Sequence, residues 1–218
     1  CTFCAFYKTD RSDPSAYTYT VEQIMEKISR AKEDGITTVL MQGGLNDDIP
    51  FDYYLEMISE TRKRFPDITP HFWSAPEIWK MADVSNLSLN EVLTNLWEAG
   101  QTSIPGGGSE VLSDDVKSKI SPFHPKDKTD KWTQVHEEAH KIGFKTTATM
   151  MYGHIETDHD IVKTLTKIRE IQDSALSNNN QGGFTAFIPW SYKRDNTSLG
   201  KKVTYEAGAN RYLRMIAV

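Results

Sequence analysis

The residues best suited to chemistry come first in the chain. Cys1 and Cys4 are the only two cysteines among 218 residues, and they stand two apart in Cys1-Thr2-Phe3-Cys4. That spacing suits a metal or cluster better than a structural disulfide. Two thiolates are half of a four-thiolate site. No second cysteine pair and no Cys/His quartet follows, which argues against structural zinc. The chain has no initiator Met, so the expectation is that it continues upstream and that a further ligand lies there. A second candidate is His136-Glu137-Glu138-Ala139-His140, which matches the H-E-x-x-H zinc pattern and sets both histidines on one helix face. A zinc hydrolase would rest on this motif alone. No third-ligand signature follows it, so a solvated face of an outer helix is the preferred reading. Pro105-Gly106-Gly107-Gly108-Ser109-Glu110 lets backbone approach a ligand, and its N–H groups could hold an anion; a plain tight turn is the alternative. It lacks both the Lys-Ser/Thr of a P-loop and the glycine spacing of a dinucleotide fold. His154 and Glu156, in Met151-Tyr152-Gly153-His154-Ile155-Glu156-Thr157, could do acid–base work or could merely orient a loop.

These residues need elements to hold them. Val21, Ile24, Met25, Ile28 and Ala31 recur at helical spacing over 20–34, with Thr20, Glu22 and Gln23 at the start and Gly35 at the end. Ile36 to Met41 is a β-branched apolar run, read as a buried strand closed by Gln42-Gly43-Gly44. Further helices are expected over 51–65, 89–99, 131–142 and 160–173, and from Tyr205 onward. Strands are expected over 69–74, 102–105, 145–151 and 184–188. Ser174 to Gly183 reads as a flexible surface loop. Five strands alternating with helices give the rhythm of a parallel sheet, either a barrel or a doubly wound fold. Polar or glycine-rich residues follow each strand, where α/β barrels build their active sites. The favoured class is therefore α/β, a TIM-type (βα) barrel. At least its first strand and the C-terminal part are expected outside this chain.

Composition narrows the function. The charged fraction is 25%, the hydrophobic fraction 38% and the net charge −5. These values suit one globular domain over 1–218. With no basic run, nucleic acid is not an expected partner. No apolar stretch is long enough to span a membrane, so no membrane partner is expected either.

Taken together, Cys1-Thr2-Phe3-Cys4-Ala5-Phe6-Tyr7, MQGGLN at 41–46, PGGGSEVLSDDVK at 105–117, ISP at 120–122, TATMMYGHIET at 147–157, KIREIQD at 167–173 and GGFTAFIPW at 182–190 resemble a known family. It is the radical S-adenosylmethionine enzymes of the futalosine route to menaquinone. Cys1 and Cys4 resemble the last two cysteines of the signature C-x3-C-x-Φ-C, whose first cysteine would lie upstream. The chain is most similar to the cyclases that make cyclic dehypoxanthinyl futalosine. Aminofutalosine synthases, which add the radical to an enol ether, and the deazaflavin-forming synthase subunit share much of the pattern. TATMM before FIPW favours the cyclase. The segment 174–181 is longer than the loop expected of the family.

The resemblance implies the cofactors, a 4Fe–4S cluster and S-adenosylmethionine, and a nucleoside-derived small-molecule substrate. It also implies a reductase or flavodoxin-type electron donor and a cytoplasmic setting. The implied reaction is hydrogen abstraction at ribose C4′ by a 5′-deoxyadenosyl radical, followed by addition to the substrate's aromatic ring. Cys1 and Cys4 would bind the cluster. Tyr7 would lie beside the adenine, and Gln42, Gly43 and Gly44 would meet the methionine amino group. Ser74 and Glu110 would take the carboxylate and ribose of S-adenosylmethionine. His154 and Glu156 would touch substrate or take the final proton.

Overall fold

The computed structural model describes residues 1–10, 12–123 and 125–217. Its elements in chain order are α1 (Val21–Lys32), β1 (Thr38–Met41), α2 (Phe51–Arg64), β2 (Thr69–Phe72), α3 (Ala75–Ser85), α4 (Leu89–Glu98), β3 (Ser103–Ile104), α5 (Asp114–Ile120), α6 (Thr129–Ile142), β4 (Lys145–Tyr152), α7 (Asp158–Ser177), β5 (Gly183–Ser191), a 3-10 turn (Leu199–Lys201) and α8 (Ala209–Ile216). Helix α1 starts where its sequence says it should. The Thr20 hydroxyl accepts from the Gln23 N–H, and the Gln23 side chain accepts from the Thr20 N–H, so two orphan amide donors are satisfied. Ser88 with Glu91 and Thr157 with Asp160 open α4 and α7 in the same way.

All five strands are parallel and lie in the order β1-β2-β3-β4-β5. Every crossover therefore steps in the same direction. Right-handed connections then place the helices on one face, as in a barrel. A doubly wound sheet would reverse its order at a switch point. The order thus decides between the two architectures that the sequence leaves open. Phe72, Ile104 and Ala148 lie in one buried cluster with Ile58, Ile78, Leu93, Leu96 and Val135 from the helices. On the other face Leu40, 64% exposed, is in register with half-buried His71, whose Nδ1 lies 2.6 Å from Ser103 Oγ.

Five expectations need correction. The run 36–41, read as a buried strand, forms β1 only over Thr38–Met41 and is half exposed, with Leu40 at 64%, because it is an edge strand of the described sheet. Helices α3 and α5 are absent from the sequence reading. The first hides behind Ser-Ala-Pro, where Pro76 sits in the first helical turn, a position that costs no hydrogen bond. The second is only seven residues long, too short for a periodic signal. Helix α7 continues through Ser177, so the loop read from Ser174 is mostly its last turn and a short connection. The face of α6 that carries His136 and His140 is not solvated. They are 0% and 1% exposed and pack with Trp132 and Phe184 against the sheet, while Glu137 points to solvent. Burial holds both imidazoles below their ordinary pKa, His140 at about 4. No group of three or more metal-ligating side chains converges among the described residues.

Candidate active site

Parallel strands bring their carboxyl ends to one rim, and the sequence-predicted residues lie on it. Gln42, Gly43 and Gly44 follow β1, Ser74 follows β2, Pro105 to Glu110 follow β3, and His154 and Glu156 follow β4. The cysteine segment is tied to the same rim from two sides. Thr2 donates its N–H and its hydroxyl to the Ile120 carbonyl at 2.8 and 2.9 Å, and its own carbonyl accepts from the Leu199 N–H at 2.8 Å. Ile120 closes α5, after β3, and Leu199 lies beyond β5. Phe3 packs beside Trp190 with ring centroids 6.5 Å apart and joins a second apolar cluster of Val111, Ile120, Met150, Tyr152 and Tyr192. Cys1 and Cys4 are free thiols, both half-buried, and Ser121 Oγ lies 3.6 Å from Cys1 Sγ. Tyr7 is 46% exposed and belongs to neither apolar cluster.

The glycines after β3 serve close packing. A Cβ on Gly106 would strike the Thr147 and Ala148 backbone of β4. The Gly106 N–H donates to Thr147 Oγ1 at 2.9 Å, and its carbonyl accepts from Thr149 Oγ1 at 2.8 Å, Ser109 Oγ at 3.1 Å and Trp132 Nε1 at 3.2 Å. Gly107 leaves the space that the Gln42 amide fills, so β1 and β3 meet there. Gly106 therefore spends its backbone groups inside the protein rather than on a ligand. Lys117, 1% exposed, donates from Nζ to the Gly108 carbonyl at 2.7 Å and the Ser109 carbonyl at 3.1 Å, and stands 3.8 Å from Glu110 Oε2. Burial lowers the Lys117 pKa, and Glu110 opposes the shift. Glu110 is 7% exposed, at φ 42°, and its buried Oε2 has no hydrogen-bond donor among the described residues.

Glu77, in the first turn of α3, joins two strand ends. Its Oε1 accepts from the Gly43 N–H at 2.6 Å; its Oε2 accepts from the Ser74 N–H at 2.8 Å and the Ser74 hydroxyl at 2.5 Å. Ser74 is thus engaged as the cap of α3. Burial raises the Glu77 pKa, and the bonds from Ser74 and Gly43 pull it back. Just before Ser74, buried Trp73 takes φ 59°, uncommon for a bulky residue.

After β4, Glu156 receives the Gly153 N–H at 2.6 Å and the His154 N–H at 2.8 Å. The His154 and Glu156 side chains are 0% and 2% exposed, with Nδ1 to Oε2 at 3.4 Å. His154 Nε2 faces the Met151 carbonyl at 3.2 Å. A carbonyl only accepts, so Nε2 carries the proton of the neutral ring and Nδ1 carries the lone pair toward Glu156. Burial lowers the His154 pKa, while Glu156 works the other way.

Glu77 and Lys117 escaped the sequence reading as site residues. Ser74-x-x-Glu77 is a capping-box pattern, and that was the available signal for Glu77. Lys117 lies inside the PGGGSEVLSDDVK stretch, but only the folded loop shows its ammonium turned back on the glycines.

Comparison with known proteins adds an independent line. Residues 1–168 match the radical SAM superfamily. The chain is 37% identical over 202 residues to 5-amino-6-(D-ribitylamino)uracil–L-tyrosine 4-hydroxyphenyl transferase of Methanopyrus kandleri, covering 93% of this chain and 52% of that protein. It is 36% identical over 218 residues to cyclic dehypoxanthine futalosine synthase of Halalkalibacterium halodurans, covering 100% and 56%. It is 32% identical over 203 residues to aminodeoxyfutalosine synthase of Thermus thermophilus, covering 93% and 52%. The chain thus spans little more than half the length of these relatives. Among solved structures, HydG, a maturase of the [FeFe]-hydrogenase, shares the fold with TM-score 0.73 at 15% identity, covering 100% of this chain and 45% of that one. A cysteine pair at the rim of a one-directional parallel sheet, together with a family match over most of its length, shows that the chain belongs to the radical SAM superfamily, whose cofactors are a 4Fe–4S cluster and S-adenosylmethionine.

Proposed function

We propose that this chain carries the core of a cyclic dehypoxanthine futalosine synthase, which closes dehypoxanthine futalosine into its spiro-cyclic product. What supports the reading is the 36% identity to such an enzyme over all 218 residues, together with the segments Thr147 to Met151 and Phe187 to Trp190, whose resemblance favours the cyclase over its siblings. The residues present fit the cofactors. Two free, half-buried thiols lie on the rim, and the buried Glu110 Oε2 is an acceptor that lacks a donor. When bound, the cluster and S-adenosylmethionine supply the carbon-centred radical that such chemistry needs.

The protein's own part is to hold, orient and exclude water. Cys1 and Cys4 ligate the cluster, with Thr2 fastening their segment between α5 and Leu199. Gln42, Gly43 and Gly44 receive the amino group of S-adenosylmethionine. Glu110 takes the ribose hydroxyls and Ser74 borders the carboxylate, with Tyr7 beside the adenine. His154 accepts the final proton at Nδ1, the one ring nitrogen not committed to a carbonyl, with Glu156 beside it. A reductase or flavodoxin-type donor provides the electron.

The transferase of Methanopyrus kandleri is equally similar, so the test must separate substrates. Full-length enzyme, reconstituted anaerobically, is given dehypoxanthine futalosine, the enol ether used by aminofutalosine synthases, or tyrosine with ribitylaminouracil. Consumption of S-adenosylmethionine with the first alone is expected. Consumption only with either of the others refutes the reading. His154→Ala and Glu156→Ala are expected to lose turnover; near-normal rates in both would remove those two residues from the proposal.

A further inference from the structure

Glu77 is more than a helix cap. A capping glutamate needs only its own N-cap residue, yet Glu77 gives one whole carboxylate oxygen to Gly43, 34 residues away. A planar trans peptide points its N–H and the preceding carbonyl in opposite directions. With the Gly43 N–H aimed inward at Glu77 Oε1, the Gln42 carbonyl aims outward, on a segment that is itself exposed. An outward carbonyl at a strand end is an acceptor suited to an ammonium group. A second contact fixes the same segment, since the Gln42 side chain occupies the space beside Gly107.

We infer that Glu77 is a positioning residue for S-adenosylmethionine: it clamps the Gln42–Gly43 peptide so that the Gln42 carbonyl accepts from the α-ammonium of the ligand. The inference rests on the reading of Gln42 to Gly44 as the amino-group subsite. It adds the residue that sets the subsite's geometry. Glu77 itself touches no ligand.

The test separates the ammonium from the rest of the nucleoside. Anaerobically reconstituted full-length protein and its Glu77→Gln variant are titrated with S-adenosylhomocysteine, which carries the ammonium, and with its deaminated analogue 5′-(3-carboxypropylthio)-5′-deoxyadenosine, which keeps the carboxylate that Ser74 borders and lacks only the ammonium. Glutamine has one acceptor oxygen where glutamate has two, so its amide NH2 must face the Gly43 or the Ser74 N–H. The Kd for S-adenosylhomocysteine is expected to rise about tenfold, the size of one hydrogen bond to a charged group, with the deaminated analogue held within about twofold. Equal weakening of both ligands, or of neither, overturns the inference. If thermal melting shows that the Gln variant does not fold, Glu77→Asp, which keeps the charge but is one methylene short of spanning both strand ends, must give the same split. A wild type that does not prefer S-adenosylhomocysteine over the deaminated analogue overturns the subsite reading itself. A variant that retains a clear wild-type preference overturns only the role of Glu77.

Discussion

His140 gives a prediction with a worked magnitude, and it decides what the HEEAH motif is for. The ring is 1% exposed, and burial with the nearby Lys145 charge lowers its pKa from 6.5 to about 4. The sign follows from the two states. Above pH 6.5 the ring is neutral whether folded or unfolded, and no penalty applies. Below pH 6.5 the unfolded chain takes up a proton that the folded chain refuses until about pH 4. Stability therefore falls as pH falls through this window. For a single site with these pKa values, the loss between pH 7 and pH 5 is about 2 kcal/mol. The partner substitution is His140→Gln, which does not titrate and can still bond Thr146 Oγ1, now 2.8 Å from the ring. Urea unfolding of both proteins at pH 7 and pH 5 gives the difference of differences, which cancels the titrating groups that His140 does not perturb. Wild type is expected to lose about 2 kcal/mol more than the variant. Equal pH responses would refute the argument that burial keeps this ring neutral. A zinc site would behave differently: added zinc would raise the Tm of wild type but not of the variant, and no such rise is expected.

Two further predictions concern the loop after β3. Lys117→Met leaves Glu110 without a counter-charge and the Gly108 and Ser109 carbonyls without their donor. The cost is about 3 kcal/mol, which lowers the Tm by roughly 6–12 °C. An unchanged melting curve would show that the ammonium does not hold this loop. Gly106→Ala drives a methyl into the β4 backbone at Thr147 and Ala148. It is expected to cost about 1–3 kcal/mol, read by the urea midpoint. A neutral effect would mean that the loop can lift away from β4 without penalty.

Much of this architecture was legible because it depends on local chemistry. The β-branched run ending at Met41 and the helically spaced apolar residues of α1 point to one strand and one helix, and both form there, though the strand is half exposed rather than buried. The rim was legible too, since glycines and polar residues collect where strands end. Strand order was not legible. Periodicity names elements but not neighbours, so the barrel was favoured only from the polar strand ends, until the pairing showed β1 to β5 in sequence. HEEAH shows the opposite limit. Its spacing puts His136 and His140 on one face correctly, but the sequence does not say which face meets the sheet. Trp132, one turn earlier on the same face and stacked on Phe184, is the residue that decides it.

Two of the rim's buried ionisable side chains, Glu77 and Lys117, have no place in a list of reactive groups, and their setting explains why they are there. A buried charge is costly unless it is bonded on several sides. Glu77 receives three donors, two of them backbone amides from different strand ends. Lys117 gives its ammonium to two backbone carbonyls of a third. Both ions therefore hold main chain rather than each other. Backbone at a strand end has no side chain with which to fix itself, and glycine fixes it least of all. A site that presents carbonyls and amides to a ligand needs such fixed charges behind it. In this fold they come from the first turn of α3 and from α5, the two helices that close the rim directly after β2 and β3. Substitutions at Glu77 and Lys117 should therefore disturb ligand geometry through the backbone, with the reactive side chains left in place.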